Sequence, residues 1–430
     1  MRPRDSKHEP PVGPSGWRGS SWRMPFVLAA LAVTLPASAQ LERAYIMQTT
    51  PYPVYSTPET SAYNIKWKRM IARFNAAYQI EFNDNIDLVE QNKTSDISMG
   101  PTINVGFLLP TTKNNLLQLD MGAGYRWYMK SSSVNTFTLA PKSRLDYRMF
   151  LGNLHLDVFD TFSVQADPVQ RPEISGGPSR LTHFRRFANT CGVIGEWRPY
   201  RRWGLLGGYS FTLDRSLTSD FLDMDYDMHT WTAGTFYQAS SKLTLGVNGS
   251  YSILGYRDSL QNDGHTFTVG PFASYELSRF VMLDAACGWT YSSYENRGLI
   301  ADFSDFEGFT CQFGMRHRIN SWSSQNVRAG RTVGLGYGSN FTESWMVQHG
   351  FTTRLNRATT LNTLFSWQSY NSSIAGGDSG VRYLIYAGIA YQLTRRWHTS
   401  LGYSFAWKDS DLPGRDYTQN RLALDVSRQF

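Results

Sequence analysis

The stretch from Trp397 to Lys408, WHTSLGYSFAWK, decides how the rest of the chain is read. Trp397, Thr399, Leu401, Tyr403, Phe405 and Trp407 alternate with His398, Ser400, Gly402, Ser404, Ala406 and Lys408. A period of two means a strand with two unlike faces, because successive Cβ atoms leave a pleated strand on opposite sides. One face suits lipid, the other water. The contrast recurs in Leu117, Leu119, Met121, Ala123, Tyr125 and Trp127 against Gln118, Asp120, Gly122, Gly124 and Arg126. It recurs again in Leu243, Leu245, Val247, Tyr251 and Ile253 against Thr244, Gly246, Asn248, Ser250 and Ser252.

A soluble β-sandwich alternates too, so the connections have to separate the two folds. About eighteen alternating segments follow Arg69, and sixteen would follow if one pair has been split wrongly. Their connections alternate between tight and long. Tight ones include Thr111 to Asn115, Arg198 to Trp203, Ser240 to Lys242, Ser278 to Phe280, Asn356 to Ala358 and Thr394 to Trp397. Long ones include Asp167 to Leu181, Asp214 to Asp225, Arg257 to Gly264, Asn296 to Asp302, Ser372 to Gly380 and Asp409 to Asp416. Short turns at one end and long loops at the other are how transmembrane barrels are built. Residues 65–430 supply about 20 residues per strand and connection, against the roughly 9 to 11 needed to cross a bilayer. Closure follows physically, because an open sheet edge in hydrocarbon leaves unpaired backbone groups. The expectation is an all-β, antiparallel, up-and-down transmembrane β-barrel with both ends of the wall at the short-turn side. Asp160, Glu196 and His349 fall on the lipid phase of this pattern, which marks them as places for bulges or register changes.

Composition agrees. Charged residues make up 18% of the 430, below the globular average of about 25%, while 36 Gly, 24 Tyr and 13 Trp suit a wall with one face in lipid. Pro25 to Leu35 form an apolar run preceded by Arg2, Arg4, Lys7, Arg18 and Arg23 and followed by Ala37-Ser38-Ala39. That pattern reads as a signal peptide over residues 1–39, with residues 40–64 a periplasmic linker or a plug. A start at Met24 would leave no positive charge ahead of the run. The run is too short to span a bilayer as a helix. Of the 42 basic and 35 acidic side chains, the leader holds five and two, so the formal charge of +7 falls to about +4. Such an excess is no nucleic-acid signature.

The chain ends in Leu422, Leu424, Val426, Arg428 and Phe430, which resembles the closing strand of bacterial outer-membrane barrels, whose terminal Phe is read by the barrel-assembly machinery. Arg428 departs from that pattern, which has an aromatic or apolar residue there. Tyr78 to Asn92 (YQIEFNDNIDLVEQN), Pro413 to Phe430 (PGRDYTQNRLALDVSRQF) and the turn from Leu393 to Trp397 resemble the β-barrel porin 2 type family of Gram-negative bacteria. The resemblance implies an outer-membrane barrel; some members lie beside exopolysaccharide genes.

In a barrel, charges on the polar phase set what passes. The candidate lumen-lining residues are Arg126, Lys130, Lys142, Arg144, Arg148, Arg316, Arg318, Arg354, Arg382 and Lys408, opposed by Asp120, Asp146, Asp284 and Asp425. They imply a mildly basic passage; the bland alternative is that they pair across strands and fill a polar interior. Trp127, Trp197, Trp203, Trp231, Tyr237, Trp345, Trp367 and Trp397 suit an interfacial girdle. Tyr128, Phe236, Phe272, Tyr370 and Tyr386 fall on the inner phase, where a sugar-stacking slide is the sharper alternative.

Cys287 and Cys311 lie symmetrically about residue 299 and face each other if that loop closes a hairpin, although a buried thiol is the default and a disulfide is not expected. No cysteine is spaced as a metal ligand, and no cofactor is expected. The scattered His, of which His155 beside Asp157 is the nearest approach to a pair, accompany no catalytic motif, so an enzyme is not expected. The reading is an outer-membrane channel for small polar solutes or saccharides, in contact with lipid and the assembly machinery. The alternatives are an exopolysaccharide-export accessory and a plugged structural barrel.

Overall fold

The structure, a computed structural model, describes residues 65–165 and 185–430, with the side chains of 141, 142, 165 and 220 left aside. The leader and the 40–64 segment expected from sequence lie outside the described residues. Among the described residues nineteen strands run in chain order: β1 (Ile65–Trp67), β2 (Met70–Asn83), β3 (Asp96–Pro110), β4 (Asn115–Tyr128), β5 (Thr136–Leu151), β6 (Leu154–Gln165), β7 (Arg186–Tyr200), β8 (Trp203–Ser216), β9 (Tyr226–Gln238) and β10 (Leu243–Tyr256). Then come β11 (Gly264–Ser278), β12 (Val281–Tyr294), β13 (Phe306–Arg318), β14 (Ser323–Leu335), β15 (Phe341–Arg354), β16 (Thr359–Ser372), β17 (Ser379–Gln392), β18 (Trp397–Ser410) and β19 (Tyr417–Gln429).

Each strand from β2 to β19 pairs antiparallel with its chain neighbours, and β19 pairs back onto β2 from Arg421 opposite Asn83 to Gln429 opposite Asn75. The wall is therefore a closed eighteen-stranded up-and-down barrel. β1 turns back on β2 through Lys68, whose φ of 53° sets the tight reversal, and occupies the edge of β2 beyond the end of β19. The amide of Phe430 donates to the Phe74 carbonyl, 3.1 Å, and the two rings meet at 5.1 Å, so both ends of the wall lie at the short-turn side.

Tracing partners around all eighteen ladders returns to β2 roughly 22 residues displaced from the start, the stagger a closed barrel requires. With strands about 4.8 Å apart, that stagger sets a tilt of about 40° and a backbone radius of about 18 Å. Side chains from the wall alone cannot fill such an interior.

Two Gly-Pro steps interrupt the ladders. Pairing of β3 to β4 skips Gly100-Pro101, and pairing of β11 to β12 skips Gly270-Pro271, because proline brings no N–H to the ladder. The register of β4 to β5 shifts between Asp120 and Ala123 and that of β5 to β6 between Leu139 and Ser143.

The outer phase carries the large exposed side chains: Tyr78, Ile80 and Phe82 on β2 continue into Leu422 and Leu424 on β19 and Leu401 and Tyr403 on β18 across the closing ladder. Trp197, Trp203, Tyr237 and Trp397 lie towards the short-turn end of this face and Trp127 and Trp345 towards the other. Two of the three charged or basic residues assigned to the lipid phase stay there. Asn189 donates to Asp160, and the His349 ring meets Gln325 at 3.2 Å. Glu196 does not: it pairs with His155, is 4% exposed and faces inward, because Val193 and Trp197 hold the outer phase of β7.

The disulfide expectation is corrected. Cys287 and Cys311 are cross-strand partners on β12 and β13 with Cα atoms 4.1 Å apart, and the structure joins them. Antiparallel pairing of the hairpin sets the two opposite each other, as their spacing about residue 299 allows. Arg428 stays on the outer phase at the short-turn rim, its guanidinium over the rings of Trp397 at 5.5 Å and Phe430 at 4.7 Å, so cation–π contact replaces the apolar packing otherwise found there.

Candidate functional site

The inner phase is polar and its charges are assembled in groups by register. Glu81 on β2 receives Arg421 of β19 through two guanidinium nitrogens, the closest at 2.9 Å, and Arg126 of β4 stands 3.7 Å away while donating to Gln79 at 2.8 Å. Towards the short turns, Arg73 donates to Asp120 at 2.7 Å and Gln118 adds a second donor at 2.7 Å. Next along the wall Arg144 bonds Asp146, reaches Asp157 at 3.5 Å and lies over the Phe159 ring at 4.9 Å. Arg198 bonds Glu196 and lies over Phe236 at 5.3 Å; Arg316 meets Asp284 at 3.2 Å. The His155 ring stacks flat on Phe150, its register partner, at 4.2 Å.

At the long-loop end, Asp378 is the hub. Lys408 donates to it at 2.9 Å, Ser410 at 2.6 Å and Tyr370 at 3.1 Å, with Arg415 at 3.5 Å. Lys408 is 2% exposed; a buried ammonium is tolerated only with such a partner. A cavity of about 200 Å³ opens beside this hub between Tyr337, Thr342, Tyr370, Ser372 and Arg415.

Of the residues singled out from sequence, Arg126, Arg144, Arg316, Lys408, Asp120, Asp146 and Asp284 stand on inner-phase wall positions in the ion pairs just described. Arg148 and Arg382 are also inward, opposite Asp157 and Lys408 in register. Arg318 and Arg354 sit at the short-turn rim, Arg318 over Phe280 at 5.6 Å. Asp425 accepts from Ser400 at 3.4 Å. Lys130 is not on the wall. β4 ends at Tyr128, because Asp96 accepts the N–H groups of Lys130 and Ser131 and turns the chain, leaving the Lys130 ammonium on the carbonyl of Ser95 at 3.0 Å. The side chain of Lys142 lies outside those described.

Sequence reasoning missed Glu81, Arg421, Arg186, Asp378 and the loops that enter the mouth. Arg186, 1% exposed, bonds Asp214, meets Asp225 at 3.1 Å and donates to the carbonyls of Phe221 at 3.0 Å and Met224 at 2.8 Å. This clamps a 3-10 turn, Ser219–Met224, between β8 and β9. The loop from β2 to β3 is pinned to β19 by Asn85, wholly buried, which donates to the Val89 and Thr418 carbonyls and accepts Gln419 on its own carbonyl. Leu88 on that loop and Phe221 on the other pack into one apolar cluster with Ala406 and Tyr417 of the far wall, flanked by Met224, Tyr337 and Leu384. The signals for this were present only as isolated apolar residues inside polar loops.

No family model matches the chain and no curated protein matches it, so the likeness to the β-barrel porin 2 type rests on the quoted stretches. Among solved structures, OccK5 (OpdH) of Pseudomonas aeruginosa is 12% identical, with 84% of this chain and 98% of that one covered at a TM-score of 0.45. OccK2 (OpdF) of the same organism, in complex with glucuronate, is 10% identical over 84% and 98% at 0.48. A BenF-like porin from Pseudomonas fluorescens Pf-5 is 12% identical over 84% and 99% at 0.48. At these scores the likenesses bear no weight on what this barrel carries.

Proposed function

We propose that this protein is an outer-membrane channel for small polar solutes. The observation that carries the reading is a closed eighteen-stranded wall with an apolar, aromatic outer face and an inner face of cross-strand ion pairs. A sheet with no open edge and an apolar exterior is the only β-structure stable in hydrocarbon, and a barrel of this strand number encloses an aqueous passage. Export by a leader over residues 1–39 and insertion through recognition of Phe430 belong to the same reading. So does a weak anion preference: the paired charges cancel, while Arg318 and Arg354 hold positive charge at the short-turn rim. No step of it requires a catalyst. Planar-bilayer recording of the refolded protein tests the proposal: stepwise conductance with a reversal potential displaced towards the anion is expected, and silence under all conditions would sink it. Arg318→Glu with Arg354→Glu should abolish or reverse the preference without closing the channel.

A further inference from the structure

We infer that the ring of short turns is a docking surface for anionic phospholipid headgroups of the membrane leaflet on that side. The inference rests on the barrel standing in a membrane, not on what it conducts. Charge carries it. The turns β1–β2, β7–β8 and β17–β18 hold two basic residues each, and those joining β3–β4, β9–β10, β11–β12 and β15–β16 hold one each. No short turn holds an acid. All of these basic side chains are exposed, and among the described residues none of them stands in an ion pair. The long connections run the other way: those from β10 to β11 and from β12 to β13 hold Asp258, Asp263, Glu295, Asp302 and Asp305 against Arg257 and Arg297.

The geometry of the turns does not call for this charge. In each of three turns a side-chain oxygen accepts the amides two and three residues on: Ser278 from Phe280 and Val281, Asn356 from Ala358 and Thr359, Thr394 from Arg396 and Trp397. That bonding fixes the reversal and leaves the next position without structural duty. It is occupied by Arg279, Arg357 and Arg395.

Placement decides which anion. Arg202 precedes Trp203 and Arg396 precedes Trp397, two exposed rings of the outer face, and Arg279 lies over the adjoining Phe280 at 4.6 Å. Amphipathic rings settle at headgroup level, so guanidinium groups just beyond them stand among the phosphates. A guanidinium binds two phosphate oxygens at once, and every basic group at such a surface adds to its attraction for net-negative lipid. The nearest carboxylates do not cancel the ring. Glu196 and Asp284 lie on the inner phase, bonded to Arg198 and Arg316, and Glu276 is also inward, opposite Met282.

The refolded full-length protein, in mixed micelles with equal phosphatidylglycerol and phosphatidylcholine, tests this through the lipid it retains in native mass spectrometry. Phosphatidylglycerol should be retained over phosphatidylcholine by roughly tenfold at low salt, and about 1 M salt should erase the preference. Replacing Arg201, Arg202, Arg395 and Arg396 together by Gln should cut the preference severalfold, and Arg279→Gln with Arg357→Gln should reduce it on two other turns. An equal loss from Arg257→Gln with Arg297→Gln at the long-loop end would overturn the assignment to the short turns. A wild type without lipid preference would overturn the docking surface, and binding of inorganic polyphosphate in that case would assign the ring to a soluble polyanion. Conductance of the same samples separates the two readings: conducting barrels without lipid preference remove the docking surface alone, and silent barrels that keep the preference remove only the channel.

Discussion

Single residues decide how the long loops are held. Asp302, 2% exposed, accepts the amide of Asn340 at 2.8 Å, the hydroxyl of Ser373 and the amide of Ser304 at 3.0 Å, while Asn262 and Asn340 donate to its carbonyl. The carboxylate thus ties three loops, and the backbone carbonyl of the same residue adds the fourth through Asn262. Burial alone would raise its pKa, but these hydrogen bonds hold it below the ordinary value. The sign follows: a depressed folded pKa contributes stability that is present above about pH 4 and lost as pH falls through the folded value. Asp302→Ala should cost about 1–3 kcal/mol of loop stability, seen as faster amide exchange at Asn340 and Ser304, whose N–H groups the carboxylate accepts; unchanged exchange would refute the role. Cys287 and Cys311 close a separation of 24 residues. Mass spectrometry of the unreduced protein should find one bond between them, and the double Ser variant should lose at most about 3 kcal/mol, since the ladder already confines both strands. Asp302 was not legible in sequence, because nothing local distinguishes it from other loop aspartates; the cysteine pairing was, once the hairpin was assumed.

At the scale of elements, alternation was legible almost throughout, because the side-chain period of a strand is a property of the backbone itself. The assignment failed at Glu196, which keeps strict alternation and lies inward beside the outward Trp197, and at Lys130, which lies beyond the early end of β4. The Gly-Pro steps show a second limit: proline alone argues against a central strand, yet both strands run through it. A Cβ at Gly270 would stand 1.9 Å from the Cys287 carbonyl oxygen, so backbones approach there more closely than any other residue permits. Gly270→Ala should therefore destabilise the barrel by about 2 kcal/mol or more, read from the urea midpoint of the heat-modifiable gel band, whereas the same change at Gly207, with nothing within 4 Å, should be nearly silent. On the closing strand, removal of Phe430 takes away its bond to Phe74 and its ring contact, and should lower the yield of folded barrel in cells more than it lowers stability in detergent.

For the molecule as a whole, the stagger and strand number leave an interior that the wall cannot fill, so loops set the working width. In liposome swelling, hexoses should enter faster than trisaccharides, and Phe221→Ala should narrow that difference; equal rates for all sugars in wild type would show that no loop constricts the passage. The interior groups that define this passage join residues far apart in sequence, Glu81 to Arg421 across 340 positions.

The two faces of the wall, its approximate strand number and the division into short turns and long loops were written in the sequence, because each depends on residues a few positions apart. That Cys287 and Cys311, partners in one hairpin, are also bonded was shown by the structure; which charges meet across the closing ladder and that Leu88 and Phe221 share a cluster were decided only by closure of the sheet. Local periodicity sets which way a side chain points, but the partner it finds depends on the register accumulated around eighteen ladders and on loops that fold into the space the ring encloses.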